Sequence, residues 1–245
     1  MMYLRSTTAF FAYGIAALAL LAPLTALASP AAPAVVSGTD ASGNIINDAL
    51  SSAANGVFVS GNYEYVVTAA NSTPCGGPND STSAVGCELQ VYDISSSTDP
   101  VYVGGADVSG STNSGTGSSG FTNVFVSGNY AYVAKAGNSS TCSQTAGSAI
   151  GCELQVYDIS TPTTPTYVGG ADASGSTNSG TGFLASNSVF VSGNYAYLAK
   201  TGNTTACLPS SSDKTGCELL SFGVGPPRTL RLHGGVRLHG GVRLE

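Results

Sequence analysis

The stretch Val124–Tyr132 reads VFVSGNYAY. It returns unchanged at Val189–Tyr197 and as VFVSGNYEY at Val57–Tyr65. The three starts are 67 and 65 residues apart. Two further blocks keep the same order behind it. GCELQVYDIS begins at Gly86 and again at Gly151, and YVGGADVSGSTNSGTG from Tyr102 returns as YVGGADASGSTNSGTG from Tyr167. Self-similarity of this length fixes the architecture before any local feature does, because each unit must pack against its own copies.

Each unit offers four strands: the VFVS type, the NYAYVAK type, CELQVYDI, and TYVGGAD. The first two are joined by Ser-Gly-Asn, a hairpin signal in which Gly can take a positive φ. The last two are joined by the Pro-rich STPTTPT that follows Ile159. In the second strand Tyr130, Tyr132 and Ala134 share one face, and Ala131, Val133 and Lys135 share the other. Both faces are largely apolar or aromatic. A sheet wetted on one side alternates more cleanly, whereas propeller blades are packed on both sides. The expectation is an all-β protein, a propeller of four-stranded antiparallel blades.

VSGNYAYVA followed by LQVYDISTPTTPTYVGG also resembles the LVIVD repeat family, over about residues 35–219. The resemblance implies secreted or cell-surface repeats that form β-propellers, and implies little about activity. Two long loops stretch each unit beyond the roughly 40–45 residues of a common blade.

Only 9% of residues are charged, the net charge is −6, and 42% are hydrophobic. This argues against disorder, which goes with high charge and low hydrophobicity, and against a basic nucleic-acid footprint. At the amino terminus Arg5 precedes the apolar run AFFAYGIAALALLAPLTALA, which ends in an A-x-A pattern at Ala26–Ala28. Residues 1–28 read as a secretory signal peptide, with Pro23 and the small residues before Ser29 favouring cleavage over an uncleaved anchor. The expected location is secreted or cell-surface, with no membrane span after cleavage.

Residues 29–56 carry VSGTDASG at Val36–Gly43, a counterpart of VGGADASG at Val168–Gly175. It reads as the last strand of a blade, kept to complete the final one, since a closed ring leaves no unpaired sheet edge. Repeat 1 then spans 57–123, repeat 2 spans 124–188, and a partial repeat 3 spans 189–219. Two complete units and one partial unit give about three blades, an incomplete ring with one blade split between the termini. Residues 220–245 hold four of the eight basic residues and both His, and repeat RLHGGV. They read as an aberrant, frameshifted or chimeric end of a longer propeller. The rival reading is a genuine basic tail for an acidic surface.

The six Cys fall into three local pairs, Cys75 with Cys87, Cys142 with Cys152, and Cys207 with Cys217. Each lies between the second and third strands of its unit. In an exported chain they read as one disulfide per blade; zinc sites favour the tighter C-x₂₋₄-C spacing. Loops alternate between the ends of a meander, so the Cys loop and the Gly/Ser loop share one end.

Asp107, Ser109, Ser111 and Asn113 present oxygens at alternate positions, a pattern that can serve Ca²⁺, although the Glu at the twelfth position of an EF-hand loop is missing. A solvated Gly/Ser loop is the plainer reading. Asp40, Asp107 and Asp172 could form a ring of carboxylates for cations near a central channel. No other cofactor is suggested. Glu88, Glu153 and Glu218 each follow a Cys, and Asp93 and Asp158 end the third strand. Copying into every unit argues for structure, as edge charge and turn hydrogen bonds, rather than catalysis. No His stands in the repeats, so a Ser-His-Asp site cannot be built there. Asn71, Asn79, Asn138 and Asn203 occupy glycosylation sequons in or beside the Cys loops. The sequence thus points to a non-catalytic binding or surface-interaction scaffold for an extracellular protein or polysaccharide. The alternative is a fragment of a secreted propeller enzyme, a lyase or hydrolase whose catalytic blades are missing.

Overall fold

The computed structural model describes residues 53–69, 74–77, 84, 86–96, 98–107, 120–137, 140–143, 149, 151–173, 186–202, 205–208, 216–225 and 229–236. These form twelve strands: β1 (Ala54–Ser60), β2 (Tyr63–Thr68), β3 (Leu89–Asp93), β4 (Val101–Ala106), β5 (Phe121–Ser127), β6 (Tyr130–Lys135), β7 (Leu154–Asp158), β8 (Thr166–Ala171), β9 (Ser186–Ser192), β10 (Tyr195–Lys200), β11 (Leu219–Gly225) and β12 (Thr229–Val236). Among the described residues there is no α-helix, and no helix long and apolar enough to cross a membrane. The strands make three four-stranded antiparallel sheets, each a meander in chain order.

The hairpins form where Ser-Gly-Asn predicts them. Gly61, Gly128 and Gly193 take φ of 61°, 57° and 56°, a region that costs an L side chain steric strain. The register is shared, with Phe58 opposite Tyr65, Phe125 opposite Tyr132, and Phe190 opposite Tyr197.

The sheets stack as blades through their inner strands, β1 against β5 and β5 against β9. Phe58, Phe125 and Phe190 form a row along these strands, with ring centroids 4.8 Å apart at both steps. No comparable strand contact joins the third blade to the first among the described residues, so the ring is open. For each blade we call the face toward its predecessor leading and the other trailing.

The core sits in the joints. In the first joint Tyr65, Val67 and Val91 of blade 1 cluster with Val124, Val126 and Val133 of blade 2. In the second, Tyr132, Ala134 and Val156 cluster with Val189, Val191 and Leu198. These are the same sequence positions advanced by one unit. Burying each such aliphatic side chain is worth roughly 1.5–3 kcal/mol, and a blade obtains it only from a neighbour. That is why β3 and β7 are buried at four successive positions instead of alternating.

Among the described residues the fourth strand of the third blade is β12, from residues set apart above as an aberrant tail; residues 36–43, expected as a strand shared from the amino terminus, lie outside the described residues. The physical reason is a match of shape. Leu220 of β11 pairs with Gly235 as Gln155 pairs with Gly170 and Gln90 with Gly105. A Cβ on Gly105 would come within 2.9 Å of Cys87 Sγ, one on Gly170 within 2.8 Å of Cys152 Cβ, and one on Gly235 within 2.8 Å of Cys217 Sγ. RLHGGV supplies the glycine that the disulfide needs. Residues 220–225 and 229–236 therefore belong to the fold, with Leu230 buried in the second core.

Candidate functional site

The meander sends the β2–β3 and β4–β5 connections, and their copies, to one end of each blade. Three disulfides staple the first kind of loop: Cys75–Cys87, Cys142–Cys152 and Cys207–Cys217, with Cα–Cα distances of 4.3, 4.4 and 4.6 Å. There is no free cysteine.

A buried clamp holds the base of the loop in blades 1 and 2. Gln90 Nε2 donates to the carbonyls of Ala84 (2.9 Å) and Cys87 (3.1 Å), and the Tyr92 hydroxyl donates to Gln90 Oε1 at 2.8 Å. In blade 2, Gln155 Nε2 donates to Ala149 (2.8 Å) and Cys152 (3.2 Å), and Tyr157 donates to Gln155 Oε1 at 2.8 Å. Buried amides satisfied in this way fix the loop base, because an unpaired one would cost the desolvation of the group. Blade 3 replaces the pair with Leu220 and Phe222, both buried, so its clamp is apolar.

Charges lie beneath this end. Glu88, Glu153 and Lys135 are buried, as is Lys200. Burial pulls the Lys135 ammonium down from 10.5 to about 8, while the carboxylates of Glu153, in its own blade, and Glu88, in the preceding blade, favour its charge. Lys200 Nζ reaches back one blade to donate to the Ala173 carbonyl at 2.8 Å, and the Ala173 amide donates to Glu153 Oε2 at 3.0 Å. In the first joint Lys135 is thus drawn to Glu153 and to Glu88 of the preceding blade, and in the second Lys200 and Glu153 meet on the backbone of Ala173. Blade 1 has Thr68 at the corresponding position, where the hydroxyl donates to the Cys87 carbonyl at 3.3 Å.

The Glu residues are not the edge charges expected from sequence, since the two in blades 1 and 2 are wholly inside. Asp93 and Asp158 do make turn hydrogen bonds, accepting from the amides of Ser95 (2.8 Å) and Ser160 (2.9 Å). The Ser95 amide holds the Asp93 carboxyl below its usual range.

Asp107 and Asp172 are buried directly after β4 and β8. Asp107 enters the first joint, where its carbonyl lies 3.1 Å from the Tyr157 hydroxyl. Asp172 adjoins Ala173 in the second joint. Neither is on a solvated loop. Asp40, Ser109, Ser111, Asn113 and the sequon residues Asn71, Asn79, Asn138 and Asn203 lie outside the described residues. Among the described residues no cluster of three or more His, Cys, Asp or Glu could hold a metal ion. Burial pushes the Tyr157 and Tyr167 hydroxyls well up, so both stay neutral hydrogen-bonding groups rather than bases.

Sequence reasoning missed the buried lysines. A signal was present: Lys ends the second strand of repeats 2 and 3 and is Thr in repeat 1, in a chain with eight basic residues.

The LVIVD repeat model matches the chain at residues 52–72, 121–139 and 185–204, one match over the first hairpin of each blade. No curated protein matches the chain.

Proposed function

For a chain built on LVIVD repeats, we propose an exported, propeller-type scaffold that binds without catalysis at or outside the cell surface. Its contact surface is the end that carries the disulfide-stapled loops, and its partner is an extracellular protein or polysaccharide. One observation supports this best: three loops at the same end of successive blades, each fastened by its own disulfide. Rigid frameworks with loops gathered at one end commonly place recognition there. Disulfides fit an oxidising compartment outside the cytosol. The buried acidic and lysine side chains of the blades recur from unit to unit, which suits cohesion more than a single reaction centre.

The test is co-sedimentation of the purified chain with cellulose, chitin, peptidoglycan and a cell-envelope preparation. The expected result is retention on at least one of them, lost when the disulfides are reduced, with no new reducing ends or unsaturated sugars released. Failure to bind any, or release of products, refutes the proposal. Cell fractionation tests export separately.

A further inference from the structure

The two open faces of the blade stack are copies of faces that are already joined inside it. Val124 and Val126, on the leading face of blade 2, are 3% and 6% exposed, and Val189 and Val191 of blade 3 are 3% and 7% exposed. Their counterparts in blade 1, Val57 and Val59, are each 56% exposed. The trailing side tells the same story. Phe58 and Tyr63 pack partly buried into the first joint, and Phe125 and Tyr130 into the second. Phe190 and Tyr195 of blade 3 are 55% and 39% exposed. Four of the six large exposed apolar side chains among the described residues therefore lie on the two unjoined faces.

A polar clasp repeats with the same period. Asn55 Nδ2 donates to the Phe121 carbonyl at 2.7 Å across the first joint. Thr122, one unit on, donates from Oγ1 to the Ser186 carbonyl across the second. The next residue in that series is Asn187, which again carries an amide, is exposed, and donates to Thr201 Oγ1 at 3.2 Å within its own blade. The carbonyl next in the other series is that of exposed Ala54 at the start of β1.

The polar exceptions also fall on complementary faces. Glu64 stands on the leading face of blade 1 where blades 2 and 3 have buried Ala131 and Ala196. Ser221 stands on the trailing face of blade 3 where blades 1 and 2 have buried Val91 and Val156. A carboxylate and a hydroxyl can meet there in place of two apolar groups.

We propose that the occupant of both open faces is a second copy of this chain, blade 3 of each docking on blade 1 of the other. The contact is head-to-tail and occurs twice, and such contacts close into rings when the rotation allows. Two copies supply six blades, within the roughly four to eight of ordinary propellers. The new joint continues the geometry of the two existing ones, adds Phe190 to the Phe58 of the partner copy, and hands the Asn187 amide to the Ala54 carbonyl. It lacks the buried lysine of the internal joints, because Thr68 replaces it, so it is the joint that opens first on dilution.

Light scattering across a dilution series of the full chain tests this. The expected mass at the top of the series is twice the 24.3 kDa of one chain, falling toward one chain on dilution while the circular dichroism of the sheets is unchanged. The double variant Val57→Asp/Val59→Asp and, separately, Phe190→Asp halve the mass at the top of the series. These positions are exposed in the single chain, so its fold persists, and an unchanged melting profile of the dilute variants checks that. A mass of one chain throughout, a ladder of longer assemblies, or a doubled mass that ignores both variants overturns the proposal.

Discussion

Lys135→Met tests the account of the joints most directly. The Lys135 ammonium is buried and coupled to Glu153 of its own blade and Glu88 of the preceding one. Depressing the ammonium from 10.5 to about 8, with the attraction of both carboxylates already included, corresponds to roughly 3 kcal/mol of net cost for holding it charged at neutral pH. Burial thus outweighs the two counter-charges, and a neutral Met of similar length removes that cost. We expect a gain of up to about 3 kcal/mol in urea unfolding at pH 7, and a rise in Tm of at most roughly 6–12 °C for a fold of this size. A loss of more than about 1 kcal/mol for Lys135→Met refutes the reasoning.

Three further outcomes follow. Stability rises with pH between about 8 and 10, because unfolded chains keep the Lys135 proton to 10.5 while the native state sheds it near 8. Above the usual tyrosine range it falls again, since Tyr157 and Tyr167 hold their protons longer when folded; urea midpoints that decline steadily from pH 8, or a rise that survives in Lys135→Met, contradict this. The Cys142→Ala/Cys152→Ala variant, which opens a link of sequence separation 10, loses roughly 2–3 kcal/mol of thermal stability under oxidising conditions, and a change within about 0.5 kcal/mol counts against the staple. Gly235→Val, whose Cβ meets Cys217 Sγ at 2.8 Å, costs about 1–3 kcal/mol; full native stability would remove β12 from its place beside β11.

The blade was legible in the sequence because its signals are local. Ser-Gly-Asn sets the hairpin, the doubled apolar faces of NYAYVA demand neighbours on both sides, and the spacing of the cysteines selects partners within one loop. The fourth strand of blade 3 was not legible, because TLRLHGGV shares only its paired glycines with TYVGGA. The structure uses those glycines to seat a disulfide and tolerates basic residues beside them. The buried Lys135, Glu88 and Glu153 escaped because such residues are ordinarily exposed. Lys135 is held between Glu153 of its own unit and Glu88 of the preceding one, and a reading within one unit sees only half of that. The burial of Asp107 and Asp172 escaped too: they follow a strand and open a Gly/Ser run, yet both are enclosed at the joints.

The placement of lysine and glutamate at the joints has a consequence for how such a chain can grow. A unit that presents ammonium on one flank and carboxylate on the other is compatible with any duplicate of itself laid alongside in the same direction. Tandem duplication of a whole unit therefore creates a satisfied seam without a single compensating substitution, whereas an inverted copy would set like charges against each other. The first unit, with Thr68 in place of lysine, makes the weaker seam wherever it follows another unit, and so marks the place where a series parts.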